Sequence, residues 1–135
     1  MTDDEIRTIL ETIHTIATVG YSTSFEKPAY YVPEYLATQG YRVIPVNPTV
    51  SEINGEKSYP DLRAIPEKVE VVQIFRRAED VPPIVEQAIQ IGARVVWMQE
   101  GIVNADAART AEAAGLKVVM DKCMMKLHRR LIGTQ

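Results

Sequence analysis

Residues suited to binding phosphate stand close together early in the chain, in Gly20-Tyr21-Ser22-Thr23-Ser24, and Lys27 follows shortly after. Glycine allows a tight turn after which backbone N–H groups face an anion, and serine and threonine hydroxyls donate to phosphate oxygens. The stretch therefore predicts a phosphate site. An ordinary strand-to-helix turn, in which the glycine and serines act only as caps, is the alternative.

A second group of candidate residues is Phe75-Arg76-Arg77. Guanidinium groups suit phosphate, and an aromatic ring offers a face or an edge to a purine. The alternatives are a core position for Phe75, a solvated Arg76, and an Arg77 that pairs with Glu79 or Asp80. The residue types alone leave both interpretations open.

The residues after the second apolar run argue against NAD as the ligand. A dinucleotide site usually carries G-x-G-x-x-G and, about 20 residues further on, an acidic residue for the ribose hydroxyl. Gly20 is the only glycine among residues 1–39, and Asn47 and Pro48 stand where the acidic residue would be. A neutral Asn47 tolerates an additional phosphate on an adenosine ribose, which an acidic residue would repel.

By residue type, Cys123 and His128 are a nucleophile and a base, with Asp121 as an orienting acid. Five residues of helix would, however, put Cys123 and His128 on partly different faces. We therefore interpret Cys123 as a small buried hydrophobe and His128 as a surface residue. One cysteine and two histidines are also too few for a tetrahedral zinc site, so no metal is expected.

Size and composition restrict the class of protein. The 135 residues fit one domain, and 46% hydrophobic with 24% charged residues is typical of a folded globular chain. A net charge of −3 disfavours nucleic acid as a partner, and no apolar run approaches the roughly 18 residues that span a membrane. A single cysteine forms no intrachain disulfide, which predicts a cytoplasmic location.

Five short apolar runs rich in valine and isoleucine predict strands that are buried on both faces. Successive runs begin 23 to 27 residues apart, which leaves room for a crossover between parallel strands. The predicted strands cover residues 15–19, 42–46, 69–75, 94–98 and 117–120, and the predicted helices cover residues 3–13, 28–39, 78–91 and 104–114. The connection at residues 47–68 predicts a loop with one helical turn around residues 61–64.

These elements predict a single α/β domain over residues 1–135, with a Rossmann-like, doubly wound, five-stranded parallel sheet in the order 3-2-1-4-5. Ligands of such sheets bind beyond the carboxyl ends of the strands, where the winding reverses beside strand 1. Gly20, Asn47, Arg76 and Gln99 each follow a predicted strand, so we expect them at one edge of the sheet.

In this order, the motifs resemble the bacterial CoA-binding protein family, which is similar to the N-terminal CoA-binding domain of the succinyl-CoA synthetase α subunit. The matching motifs are Gly20-x-Ser22, Lys27-Pro28, residues 40–48, residues 55–59, Phe75-Arg76-Arg77, residues 95–99 and residues 118–123. The resemblance extends from about residue 5 to Leu131. It implies a Rossmann-like fold that binds coenzyme A at the carboxyl ends of the strands.

The resemblance also implies roles for individual residues. Those implied at the diphosphate and adenosine are Gly20, Tyr21, Ser22, Thr23, Lys27, Asn47, Pro48, Phe75 and Arg76. Tyr21 stands where a small residue is common, which would crowd the phosphate turn.

Position after a predicted strand suggests further contacts. Gln99 and Glu100, just beyond the fourth strand, are expected to reach the ligand. Cys123, beside Lys122, is a candidate for a mixed disulfide with the thiol of coenzyme A.

We interpret the chain as a module that binds coenzyme A or an acyl-CoA without catalysis of its own. The alternatives are an enzyme that acts on an acyl-CoA or a CoA disulfide through Cys123, and a regulatory module that responds to NAD or ADP. Two further questions stay open. The basic tail at residues 121–131 is either a rim for phosphates or a solvated helix face. Tyr30, Tyr31 and Tyr35 belong either to the core or to a contact with a second copy or another protein.

Overall fold

The computed structural model describes residues 1–134. The strands are β1 (Thr15–Val19), β2 (Arg42–Val46), β3 (Glu52–Ile53), β4 (Glu56–Lys57), β5 (Val71–Ile74), β6 (Val95–Met98) and β7 (Lys117–Val119). The α-helices are α1 (Asp3–Thr12), α2 (Pro28–Thr38), α3 (Val81–Gln90), α4 (Ala105–Ala113) and α5 (Met124–Leu131). Short 3₁₀ turns at Leu62–Ala64 and Ala78–Asp80 precede β5 and α3. The predicted strands and helices are confirmed with small shifts at their ends, and α5 forms from the basic tail.

The five long strands form one parallel sheet in the order β2-β1-β5-β6-β7. The predicted five-stranded parallel sheet is confirmed, but its predicted order is wrong, because β5 pairs with β1 instead of lying outside β2. Pro45 of β2 has no N–H to donate to an outer strand. The Tyr59 N–H donates to the Pro45 carbonyl at 3.1 Å, and the Asn47 N–H donates to the Tyr59 carbonyl at 2.9 Å. The chain after β2 therefore covers the edge that β5 was predicted to occupy.

A hairpin of β3 and β4 interrupts the connection that was predicted to be a loop. Its turn is Asn54-Gly55, and both residues are left-handed, with φ of +51° and +81°. This Asn-Gly pair is the usual signal of a two-residue hairpin turn, so the hairpin was predictable. Asn54 Nδ2 donates to the Tyr30 hydroxyl at 2.7 Å and to the Glu34 carboxylate at 2.9 Å, which ties the hairpin to α2.

The apolar side chains form one cluster on each face of the sheet. Along β6, Val95 and Trp97 belong to the cluster under α1, α2 and α5, whereas Val96 and Met98 belong to the cluster under α3 and α4. Helices cover both faces, so a crevice remains at the carboxyl ends of the strands. Within residues 1–134, no helix has the length and apolar character that crossing a bilayer requires.

Candidate functional site

Two adjoining cavities lie over the carboxyl ends of β1, β5 and β6. The polar cavity, of about 570 Å³, is lined by Gly20, Tyr21, Ser22, Thr23, Ser24, Lys27, Ala29, Asn47, Thr49, Phe75, Arg76, Arg77 and Asp80. The apolar cleft, of about 620 Å³, is lined by Lys27, Pro28, Ala29, Tyr31, Val32, Phe75, Arg76, Arg77, Ala78, Gln99, Glu100, Gly101, Ile102, Cys123, Met125 and Lys126. Residues such as Lys27 and Arg76 line both, so the two cavities adjoin, and together they are called the crevice below.

Gly20 closes β1 with a conformation that other residues rarely adopt. Its φ is +89°, and a Cβ placed there would lie 2.6 Å from the Phe75 carbonyl oxygen and 3.1 Å from Arg76 Cδ. Its N–H donates to the Val46 carbonyl at 2.9 Å, and the Phe75 N–H donates to the Val19 carbonyl at 2.9 Å. The predicted tight turn at Gly20 is therefore confirmed.

The turn after Gly20 is held by a carbonyl of α2 that a proline leaves without its helical hydrogen bond. Pro33 lies inside α2 and has no N–H for the Ala29 carbonyl, one turn earlier. The Ser22 N–H donates to that free carbonyl at 3.1 Å, and the Ser24 N–H donates to Ser22 Oγ at 3.0 Å. Ser22 therefore contributes to the fold of the turn through its N–H, which is not available to an anion.

Other donors of the turn are free. Within residues 1–134, no acceptor takes the backbone N–H groups of Tyr21 and Thr23, although both residues line the polar cavity. The Lys27 ammonium has no carboxylate partner in the same part of the chain. The predicted phosphate turn therefore offers one lysine charge and two backbone donors, supplemented by the hydroxyls of Ser22 and Thr23.

The side chain of Tyr21 points into the core. Its ring is 4% exposed and packs edge-on against Tyr30, with 6.3 Å between the ring centroids. Its hydroxyl donates to the Glu34 carboxylate. Burial, together with the hydrogen bond to Glu34, raises the pKa of the Tyr21 phenol. The prediction that Tyr21 would crowd the phosphate turn is wrong, because the bulky ring packs beneath α2.

Asn47 braces the phosphate turn from β2. Its Nδ2 donates to the Tyr21 carbonyl at 2.9 Å, and its Oδ1 accepts from the backbone N–H and the hydroxyl of Thr49 at 2.9 and 2.7 Å. Pro48 lines a smaller, neighbouring cavity of about 260 Å³, which also contacts Gly20 and Arg76. The Asn47 side chain is therefore held in place by hydrogen bonds to Tyr21 and Thr49, and it adds no charge to the polar cavity.

The two arginines after β5 share one carboxylate. Asp80 Oδ2 lies 3.6 Å from Arg76 Nη2 and 3.5 Å from Arg77 Nε, and Arg77 Nε also lies 3.4 Å from Glu79. Asp80 Oδ2 is shielded from solvent and accepts no hydrogen bond within residues 1–134, so its polar contacts there are these ion pairs. The expected pairing of Arg77 with Glu79 or Asp80 is confirmed. Arg76 lines both cavities, with 44% of its side chain exposed.

Cys123 and His128 lie on different sides of α5. Cys123 precedes the helix and is a buried wall of the apolar cleft, whereas His128 is 1% exposed and lines another cavity beside His14 and Tyr41. His128 Nδ1 is 2.8 Å from the Tyr35 hydroxyl, and burial lowers the pKa of His128. The interpretation of Cys123 as a buried residue is confirmed, and that of His128 as a surface residue is wrong.

Most charges of the basic tail serve to pack α5. Arg130 pairs with Asp3 of α1 at 2.7 Å, and the Arg129 guanidinium lies 4.9 Å from the centre of the Tyr35 ring. Lys126 lines the cleft and pairs with Glu100 at 2.9 Å. Within residues 1–134, no group of three or more acidic, histidine or cysteine side chains is arranged to hold a metal ion.

A family model described as "CoA binding domain" matches residues 14–129 of this chain. The chain belongs to this CoA-binding domain family. The match includes the phosphate turn, both arginines, Gln99 and Cys123, and so covers both cavities of the crevice.

Three known proteins are similar to this chain over all or part of its length. YneT of Bacillus subtilis (strain 168) is 36% identical over 124 residues, which are 92% of each chain. A solved structure, the hypothetical protein from Pyrococcus horikoshii OT3, is 45% identical with a TM-score of 0.96 and covers 98% of this chain and 94% of that one. Acetate–CoA ligase [ADP-forming] II of Archaeoglobus fulgidus is 29% identical over 82 residues, which are 59% of this chain and 12% of the ligase.

Sequence reasoning missed part of the cleft of this CoA-binding domain. Tyr31, Ile102 and Met125 line it, and each follows a strand or belongs to a helix next to one. Tyr31 is 41% exposed there, whereas Tyr30 and Tyr35 pack against the core. Searching every segment after a strand for apolar side chains would have found Ile102 and Met125, but Tyr31 depends on how α2 is rotated.

Proposed function

We propose that this protein binds coenzyme A in the crevice over the carboxyl ends of β1, β5 and β6, and that it does so without catalysing a reaction itself. One observation carries this proposal: a cationic cavity with free donors continues into an apolar cleft. Coenzyme A has the same division, with a charged nucleotide at one end and an uncharged pantetheine arm at the other.

The nucleotide end matches the polar cavity. The free N–H groups of Tyr21 and Thr23 and the unpaired Lys27 suit diphosphate oxygens, because charged donors and oriented amides bind anions strongly. The Arg76 guanidinium lies 3.6 Å from the Asp80 carboxylate, which it shares with Arg77. This ion pair is long enough for a phosphate to replace Asp80 as the partner of Arg76. Neutral Asn47 beside the turn leaves room for a phosphate on the ribose.

The pantetheine arm matches the apolar cleft. Phe75 and Ala29 line both cavities. A pantetheine arm that leaves the phosphates at Lys27 would therefore run past these two residues into the cleft. The cleft then continues to Cys123 and Met125 at the start of α5. A chain with a sulfur at its end would reach this part of the wall.

Absence of catalysis is supported by the separation of the reactive side chains. Cys123 and His128 line different cavities, and the His128 imidazole is occupied by Tyr35 at 2.8 Å. Asp121 accepts from the Gly101 N–H at 2.7 Å rather than orienting a base. No nucleophile and base therefore face each other among these residues.

A second candidate function uses Cys123 alone, because its thiol lies in the wall of the cleft. Its thiolate would attack a CoA disulfide, form a bond to the CoA sulfur, and release the other thiol. Intact mass after incubation with CoA disulfide would show an adduct of CoA mass, which Cys123→Ala would lack. A wild-type mass without the adduct rejects this candidate and leaves the binding proposal intact.

Thermal unfolding with coenzyme A, dephospho-CoA, ADP and NAD tests the binding proposal. Coenzyme A at 100 times its dissociation constant should add about 2.7 kcal/mol of stability. We expect coenzyme A to stabilise more than dephospho-CoA, and Lys27→Ala to reduce the stabilisation by both, because the lysine neutralises the diphosphate that they share.

Lys68→Ala is the matched control, since Lys68 is exposed before β5, at the opposite end of the sheet. It makes the same change in net charge and should keep the full stabilisation by both ligands. Equal stabilisation by coenzyme A and dephospho-CoA would reject an engaged ribose phosphate. No stabilisation by millimolar coenzyme A would reject the proposal itself.

A further inference from the structure

Gln99 is a buried polar side chain at the end of β6, in the wall of the apolar cleft. It is 3% exposed and follows Met98, the last residue of the strand. A primary amide carries one acceptor oxygen and two donor hydrogens, so its orientation decides what it offers to the cleft.

The orientation of the Gln99 amide is fixed by its neighbours. Its Oε1 accepts from the Met124 backbone N–H at 3.1 Å and from Gln73 Nε2 at 3.3 Å. The Oε1 of Gln73 in turn accepts from the Thr18 hydroxyl at 2.7 Å. Because a backbone N–H only donates, the oxygen of Gln99 must face Met124, and its Nε2 must point the other way.

The Nε2 of Gln99 has no acceptor within residues 1–134. It is also not sealed in the core, because the sole shielded side-chain nitrogen or oxygen without a hydrogen bond in that part of the chain is Asp80 Oδ2. Gln99 lines the cleft, so its donor opens there. Buried donors are rarely left unpaired, and a pre-oriented one facing a cavity points to an acceptor on the ligand.

The surroundings indicate which acceptor this is. Near Gln99 the cleft is walled by Ile102, Met125 and Cys123, none of which lines the polar cavity. Within residues 1–134, the one carboxylate that lines the cleft, that of Glu100, is paired with Lys126 at 2.9 Å. A neutral donor in an apolar wall, away from the phosphates, suits a neutral carbonyl oxygen near the sulfur end of the ligand.

We propose that Gln99 Nε2 donates to the thioester carbonyl oxygen of a bound acyl-CoA, so that the protein favours acyl thioesters over ligands without that carbonyl. The inference rests on the proposed function, since it requires coenzyme A in the crevice. It adds the class of ligand, an acyl thioester, and the residue that recognises it.

Calorimetric titration with acetyl-CoA, S-ethyl-CoA and coenzyme A tests this role. S-ethyl-CoA carries two carbons on its sulfur, as acetyl-CoA does, but has no carbonyl. One neutral hydrogen bond corresponds to roughly a threefold to tenfold difference in affinity, so acetyl-CoA should bind more tightly than S-ethyl-CoA by about that factor.

Two variants isolate the donor. Gln99→Glu keeps an oxygen for Met124 and Gln73 and removes the amide hydrogens, and Gln99→Met removes them without adding charge. Both should bring the ratio of the two affinities to about one. The ratio cancels any general effect of the new charge on phosphate binding. Gln90→Glu, the same change on an exposed position of α3, should keep the wild-type ratio.

The outcomes separate the two proposals. A wild-type ratio of one, while coenzyme A and S-ethyl-CoA bind, overturns the role of Gln99 and leaves the proposed function standing. A wild-type preference that persists in both Gln99 variants also overturns it. If none of the three ligands binds, the proposed function fails and this inference fails with it.

Discussion

Both ends of the sheet carry cavities, and the apolar cleft over the carboxyl ends of the strands, of about 620 Å³, can be compared with one of about 470 Å³ at the amino ends. At the amino end, the backbone N–H groups of residues 92–95 and 114–117, which line the cavity, all donate within the protein. The Glu70 carboxylate accepts from the N–H groups of His14 and Thr15 at 2.8 and 3.1 Å and pairs with Arg94, which lines that cavity, at 3.2 Å. The backbone donors at this end therefore already have acceptors, and the free donor among the lining residues is the exposed ammonium of Lys117, which has no carboxylate partner within residues 1–134.

The carboxyl end differs in having unpaired backbone and side-chain amide donors. Within residues 1–134, the backbone N–H of Thr23, the amide Nε2 of Gln99 and the Lys27 ammonium all face the crevice without a protein acceptor. The two cavities have similar volumes, so volume does not identify the binding site. Free donors next to apolar walls do, because they gain a partner only when a ligand is bound.

The largest expected effect comes from Gly20→Ala, which should lower the free energy of unfolding by about 3 kcal/mol or more. A left-handed conformation costs roughly 1–2 kcal/mol, and contact with the Phe75 carbonyl adds overpacking. Gly115→Ala, at the amino end, is the control, since its φ is +92° and no atom lies within 4 Å of the added Cβ. Urea denaturation should show the smaller loss there, and equal losses would contradict a close approach at Gly20.

Glu70→Ala should destabilise by about 1.5–3 kcal/mol, because hydrogen bonds to a charged group are lost. Burial alone would raise the pKa of Glu70, but the N–H groups of His14 and Thr15 and the charge of Arg94 lower it. Its contribution is therefore present above its ordinary pKa and disappears as the pH falls below it.

The affinity for coenzyme A should be unchanged in Glu70→Ala, since Glu70 lies at the other end of the sheet. Glu67→Ala, which removes a more exposed carboxylate paired with Arg42, should cost less than about 1 kcal/mol. A marked loss of coenzyme A affinity in either variant would break the distinction between the two ends.

From the burial of His128 we expect a smaller effect, a dependence of the free energy of unfolding on pH. Its pKa is lowered by burial, so the unfolded chain binds a proton more readily than the folded one. Stability is therefore complete above the ordinary histidine pKa of 6.5 and falls below it, by at most about 1.4 kcal/mol per pH unit from this group. His128→Gln should flatten this slope between pH 6.5 and 5 in urea titrations. An identical slope in both proteins would refute the assignment.

The smallest expected effect is that of Lys126→Ala. The side chains of Lys126 and Glu100 are 62% and 59% exposed, so solvent screens their pairing. We expect no measurable change in unfolding and a loss of coenzyme A affinity below about twofold at physiological salt. A larger loss, measured by calorimetry, would mean that the α5 charges form a phosphate rim after all.

The sequence predicted the strands and the tight turn at Gly20 because buried runs and a glycine after a strand have strong local signals. The strand order depended on Pro45 and Tyr59, a contact between two segments that periodicity does not reveal. The direction of the Tyr21 ring and the burial of His128 were equally out of reach, since both depend on how α2 and α5 pack. Gln99 was a candidate by position, but its free donor depends on a hydrogen bond from the Met124 backbone.

A crystal structure of the protein grown with coenzyme A tests the central claim most directly. The diphosphate should lie within hydrogen-bond distance of the Thr23 N–H, beside Lys27, with the pantetheine arm running past Phe75 toward Cys123. An empty crevice at millimolar coenzyme A, or a ligand seated at the amino end of the sheet, would contradict the account.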